Sequence, residues 1–275
     1  MILGPPLQGS DANVFETFVV PRYLAFFGGL AIDMMLPHEH AQVANIGCRT
    51  GYPDGVIADR VPGGTLVGVD PSAAALELAR SKASLLSGIR ANYQLSEGWP
   101  TPLEDEQYTH ALAIHPLCSA DDRGKLLREL HRVLVPGGQA LVSLPLRGSF
   151  PEINDMIREF SLRQDLPEVS KAVDVAAASR PTIETVAEEF ETAGLGDVDV
   201  DVQLIAVSFG NGKEFLEDPI AKLMVLPDMR AVLPIESGVV DNSLKYVHEA
   251  IARYWSEGVF ELTVNVGCAS ERRFK

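Results

Sequence analysis

An apolar run, Val43 to Ile46, enters a tight loop with glycines at 47 and 51, and a second apolar run, Leu66 to Val69, stops on Asp70. Glycines at such a turn let backbone amides approach a ligand closely. A carboxylate closing the second strand can accept hydrogen bonds from both hydroxyls of a ribose. The acid stands 19 residues beyond Gly51, close to what a strand, loop, helix and strand unit of this type requires. The implied chemistry is non-covalent capture of a nucleotide-like group. His38-Glu39-His40 invites a metal reading, but the helical two-histidine zinc motif needs a spacing of four, so a solvated loop is expected and no metal ligand is assigned.

Composition narrows the function classes. With 275 residues, 46% of them hydrophobic, the chain can bury a substantial core as one α/β domain over residues 1–275 with a small accessory cap. The net charge is −15, from 23 Lys and Arg against 38 Asp and Glu, so nucleic-acid partners are disfavoured: phosphate recognition needs a basic field. Cys48, Cys118 and Cys268 are odd in number and far apart, which fits neither a zinc pattern nor a disulfide framework. The apolar stretch Tyr23 to Leu36 is broken by Gly28-Gly29 and Asp33, and no basic segment precedes it. The expectation is a soluble cytoplasmic protein without a membrane span.

The elements that position the acid and the loop follow from periodicity. Residues 1–10, rich in Gly and Pro, are expected to be poorly ordered. Apolar residues recur every three or four positions from Asp11 to Leu36, predicting two helices that meet near Pro21. A helix from Pro71 to Ser87, a strand at Tyr93 to Leu95, a Pro-rich acidic loop from Ser96 to Gln107 and a strand at His110 to Ile114 come next. Asp121 or Asp122 caps a helix through Leu126, Leu130 and Val133, and Gly137-Gly138 turn the chain into a strand at Gln139 to Leu144. Beyond a mostly helical stretch from Phe150 to Ala178, Asp197 to Val202 alternates strictly, with acids suited to a sheet edge. The last alternating strand is Phe260 to Val266. Glu184 to Asp201 holds seven acids and no Lys or Arg, read as a solvated face.

Residues 43–70 resemble motif I and the following acidic strand end of class I S-adenosylmethionine-dependent methyltransferases, in the small-molecule branch with the ubiquinone and menaquinone C-methyltransferases. Leu126 to Val135 followed by Pro136-Gly137-Gly138 is similar to that family's helix and turn before strand five. Two motifs in order make the match specific. The resemblance implies a Rossmann-like fold: a mixed seven-stranded sheet in the order 3-2-1-4-5-7-6, with helices on both faces. It also implies an N-terminal helical lid at 11–36 and a helical insertion after strand five serving as a cap at 150–180. S-adenosylmethionine is the implied cofactor, held by the loop residues Asn45, Gly47, Cys48, Arg49 and Gly51, with Asp70 at its ribose and Glu97 at its adenine. His115, at the carboxyl end of strand four, is the implied base for a hydroxyl or acidic-carbon acceptor. Tyr23, Arg147 and Phe150 are the implied acceptor-pocket residues.

The loop departs from the family in three places. Asn45 stands where an acid is usual, Arg49 where a glycine is usual, and Thr109 where Asp commonly starts strand four. Weakened cofactor binding is the expected result. Two function classes stay open: a methyltransferase acting on a small molecule, and a catalytically silent fold kept as a binding or regulatory partner of another protein. An NAD-linked dehydrogenase fits the Pro-Gly-Gly turn poorly.

Overall fold

The structure is a computed structural model that describes residues 4–273. Its centre is a mixed sheet of seven strands: β1 Gln42–Ile46, β2 Thr65–Asp70, β3 Arg90–Leu95, β4 Tyr108–Ile114, β5 Leu134–Pro145, β6 Leu195–Phe209 and β7 Phe260–Arg273, in the order β3-β2-β1-β4-β5-β7-β6. The neighbours β3-β2, β2-β1, β1-β4 and β4-β5 run parallel, so the carboxyl ends of β1, β2, β3 and β4 open on one edge. Val43, Ala44, Ile46, Leu66, Val69, Ala111 and Leu112 are almost wholly buried, as parallel strands covered on both faces must be. The order is the one the sequence implies, and β6 is the edge strand with Asp197, Asp199 and Asp201 exposed.

The chain forms two compact units. One runs to Leu144 and adds Ile183–Val202 and the segment from Gly267 onward; the other comprises Pro145–Thr182 and Gln203–Val266. In the second unit, Phe215 lies between Phe209 and Phe260 at ring distances of 5.0 and 4.5 Å, and Trp255 meets Phe260 edge-on at 5.2 Å. The same unit buries an ion pair between Arg180 and Asp228.

Within the stretch expected to be poorly ordered, residues 1–3 lie outside the described residues, while Leu7 is buried and a helix begins at Gly9. Two further local expectations change. The N-terminal helices do not part at Pro21. Gly9–Val14 and Ala25–Met34 are α-helical, and Phe15–Leu24 between them takes π-helical register with Pro21 inside it. A proline lacks the donor for an i→i−4 bond and its ring crowds that carbonyl, and the wider π turn absorbs both faults without breaking the rod. The rod is 26 residues long and apolar enough in composition to cross a membrane, yet half of its most apolar window is buried within the protein. Gly28 is needed there, because a Cβ would stand 2.5 Å from the Tyr52 ring. The other change is at Pro136-Gly137-Gly138, which lies inside β5 as a bulge: Tyr108 pairs with Leu134 and His110 with Gln139. Gly137, at φ 83°, provides the left-handed backbone of that bulge.

Candidate cofactor and acceptor site

β1 ends in a loop whose backbone is turned by three left-handed residues, Gly47 (φ 76°), Arg49 (φ 49°) and Gly51 (φ 77°). The amides of Gly47 and Cys48 donate to the Val69 carbonyl at 2.8 and 3.1 Å, which ties the loop to the end of β2. Asp70 completes the tie. Its Oδ2 accepts from the Arg49 amide at 3.0 Å and its Oδ1 from the Ser72 amide at 2.9 Å. The carboxyl is fully buried, and burial raises its pKa against the opposing pull of the Arg49 charge and the two amides. Each oxygen keeps lone-pair capacity for a further donor. Ser96 donates its amide to the Asp70 carbonyl at 3.1 Å, which draws the loop after β3, with exposed Glu97, to the same edge.

Asn45 sits beneath the loop. Its Nδ2 donates to Asp54 Oδ1 at 2.9 Å, while Tyr93 donates its hydroxyl to Asp54 Oδ2 at 2.7 Å. Burial raises the Asp54 pKa, against those two hydrogen bonds, which lower it. Asn45 is therefore the neutral partner of a buried acid, a place where a carboxylate would face a second carboxylate. Its Oδ1 is buried and accepts no hydrogen bond among the described residues. Cys48 is buried, with its thiol pushed well up by burial first and then by Asp70 and Asp54; a Cβ on Gly68 would stand 2.8 Å from its sulfur.

The rest of the loop is bound to the N-terminal region. Arg49 is 6% exposed, and its Nη1 donates to the Pro5 carbonyl at 3.2 Å. Thr50 donates to Glu16 at 2.6 Å, and Lys82 reaches both Glu16 at 2.6 Å and the Thr50 carbonyl at 3.1 Å. Sequence reasoning missed Glu16, Thr50, Asp54, Lys82 and Tyr93. Only Asp54 carries a local signal, as an acid in the first turn of the helix Asp54–Arg60; Glu16 and Thr50 are 34 residues apart and meet only through the fold.

His115 follows β4 with φ 47°, a left-handed conformation that a non-glycine residue adopts at a cost, and such positions gather at functional sites. Its amide donates to the Ser143 carbonyl at 2.8 Å, its Nε2 meets the Tyr23 hydroxyl at 2.9 Å, and Phe27 stands edge-on at 4.4 Å. Both Tyr23 and His115 are buried. The structure thus brings together Asn45, Gly47, Cys48, Arg49, Gly51 and Asp70, and separately Tyr23 with His115. Arg147 and Phe150 belong to the second unit. There exposed Arg147 donates to the Ala178 carbonyl at 2.7 Å, and Phe150 is wholly buried with the Arg180 guanidinium 4.9 Å from its ring.

Residues 44–142 match a family described as a methyltransferase domain. Methyltransferase GfsG of Streptomyces halstedii is 30% identical over 131 residues, which cover 46% of this chain and 45% of that one. The demethylmenaquinone methyltransferase of Thermus thermophilus is 28% identical over 146 residues, 48% of this chain and 66% of that one. The likeness to methyltransferases is thus carried by residues 44–142, less than half of the chain. The chain spans about half the length of GfsG, and the matched region holds β1 to β5 with the loop and Asp70. In fold, the YcgJ protein of Bacillus subtilis superposes with a TM-score of 0.56 at 14% identity, covering 91% of this chain and 99% of that one. The likeness in fold therefore extends beyond the region matched in sequence.

Proposed function

We propose that the chain binds S-adenosylmethionine at the edge formed by the loop and Asp70 and transfers its methyl group to a small-molecule acceptor. One observation carries the reading: among the described residues Asn45 Oδ1 is a buried acceptor without a partner, beneath a loop tied to Asp70, whose oxygens each hold one amide and keep a lone pair for another donor. A buried acceptor is costly unless something donates to it, and the cofactor's ammonium and ribose hydroxyls are donors of the right kind. The residues present fit the group. When bound, S-adenosylmethionine supplies a methyl group on a sulfonium for in-line displacement. Asp70 would hold the ribose, Asn45 and the loop amides the methionine end, and Glu97 the adenine amino group. His115 would take the proton of a hydroxyl or acidic-carbon acceptor, with Tyr23 fixing the orientation of its ring.

Arg49→Gly is the direct test, because Arg49 puts a Cβ and a long side chain where the resemblance brings backbone and cofactor closest, and glycine removes both. Calorimetric titration with S-adenosylmethionine and S-adenosylhomocysteine should show measurable but weak binding by the unaltered chain and tighter binding by the variant. Tight binding by the unaltered chain would contradict the weakening. Asn45→Asp belongs beside it only as the swap Asn45→Asp with Asp54→Asn, since the single change would set two buried carboxyls within hydrogen-bond reach.

His115→Asn should cut methyl transfer to a hydroxyl acceptor about 10²- to 10⁴-fold while leaving cofactor affinity in place. Release of S-adenosylhomocysteine over an acceptor panel measures this, and a loss of affinity without a loss of rate would reject the base. The silent reading, a binding or regulatory fold, draws support from Arg49, whose guanidinium holds the chain's own Pro5. Absence of binding by both the unaltered chain and Arg49→Gly would favour it.

A further inference from the structure

We infer that Gly4 to Leu7 form a built-in plug of the cofactor crevice, fastened by Arg49 and Ser72, and that cofactor enters only as this strap lifts. The inference rests on the proposed cofactor site. The strap touches that site at three points. The Leu7 carbonyl accepts from the Ser72 hydroxyl at 2.7 Å, two residues past Asp70. The Pro5 carbonyl accepts from Arg49 at 3.2 Å. Gly4, at φ 85°, backs on Leu117 so closely that a Cβ would lie 2.8 Å from the Leu117 Cβ and 3.1 Å from an Arg49 guanidinium nitrogen. Ser72, Arg49 and Leu117 follow β2, β1 and β4, so the strap crosses the carboxyl ends of the three strands where ligands of open parallel sheets sit.

Burial shows that the crevice is filled rather than roofed over. Asp70 has 0% of its surface open to solvent, Thr50 0%, Cys48 1% and Ser72 1%. An empty ligand chamber lined by these residues would leave part of them accessible to water, and a ribose cannot reach Asp70 without something moving. The strap is the element built to move. Among the described residues its hold includes two side-chain-to-carbonyl hydrogen bonds, the contact of Gly4 with Leu117 and the buried Leu7, a set that a ligand making its own bonds to Asp70 and Asn45 can replace. Pro5 and Pro6 reduce the freedom the segment loses on docking, which favours the closed form. Arg49 then has a role that explains its presence at a left-handed position: a glycine there could not reach Pro5.

Cofactor affinity is lowered by the fraction of molecules with the strap open. The test is titration of the full chain with S-adenosylmethionine, with hydrogen exchange followed at residues 4–9, in the unaltered protein, Leu7→Asp and the double change Pro5→Gly, Pro6→Gly. Leu7→Asp puts a charge where the strap is buried and should expel it, giving about tenfold tighter binding, with the glycine pair moving in the same direction by a smaller factor and deciding the matter should Leu7→Asp not fold. Cofactor should also speed exchange of the strap in the unaltered chain. Equal affinity in all three proteins, or exchange slowed by cofactor, would overturn the plug and leave the cofactor site standing. Binding to none of them would overturn the cofactor site, and the plug with it.

Discussion

Asp70→Ala should weaken S-adenosylhomocysteine binding by about 1–3 kcal/mol, a five- to 150-fold loss, and lower stability in the same protein by about 2 kcal/mol. The double effect follows from what the carboxyl does before any ligand arrives. It accepts the amides of Arg49 and Ser72 at 3.0 and 2.9 Å in a fully buried setting, so removing it leaves two donors without an acceptor and the loop tied to β2, among the contacts described, through the Val69 carbonyl alone. Asp70→Asn separates the two roles. Its carbonyl oxygen can keep one amide, while its NH₂ group confronts the other, so part of the stability returns but two ribose hydroxyls no longer meet a carboxylate. Calorimetry for affinity and urea unfolding for stability measure the pair. Unchanged affinity in both variants would remove Asp70 from the cofactor site.

Glu271→Gln should stabilise the protein at pH 8 by about 2–4 kcal/mol and have little effect at pH 5. Glu271 lies on β7, is 1% exposed, and neither carboxyl oxygen has a hydrogen-bond partner among the described residues. Burial first, and then the charge of Glu191, push its pKa up to about 9. The folded value is thus above the unfolded one, so the protein is unpenalised below about pH 4.5, where both states hold the proton. Between there and pH 9 the unfolded chain releases a proton that the folded chain keeps, and stability falls as pH rises. Glutamine, neutral throughout, abolishes that slope. Unfolding free energies of both proteins at pH 5, 6, 7 and 8 check it, and parallel curves would show that the carboxyl ionises freely in the fold.

The strands, the loop and the position of Asp70 were legible in the sequence, because each is set by local pattern, whereas the sheet order came from the resemblance to the class I methyltransferases. Apolar runs of strand length, glycines where the backbone must turn left-handed, and an acid at a strand end are all short-range signals, and parallel connections leave few ways to join them. The edge position of β6 was legible for the same reason, since alternating acids can face only solvent. The continuous N-terminal rod was not. Pro21 signals a break, and whether a π turn absorbs it depends on tertiary burial of Phe15, Val19, Tyr23 and Phe27. Tertiary structure alone also decided the meaning of Asn45 and Arg49. In sequence they are two lost family residues. In the fold Asn45 is the amide that a buried Asp54 requires, and Arg49 reaches Pro5, 44 residues away in the chain. Contacts over such separations leave no periodic trace, since they form only after the sheet has brought the ends of β1, β2 and β4 to one edge and laid the N-terminal segment across it.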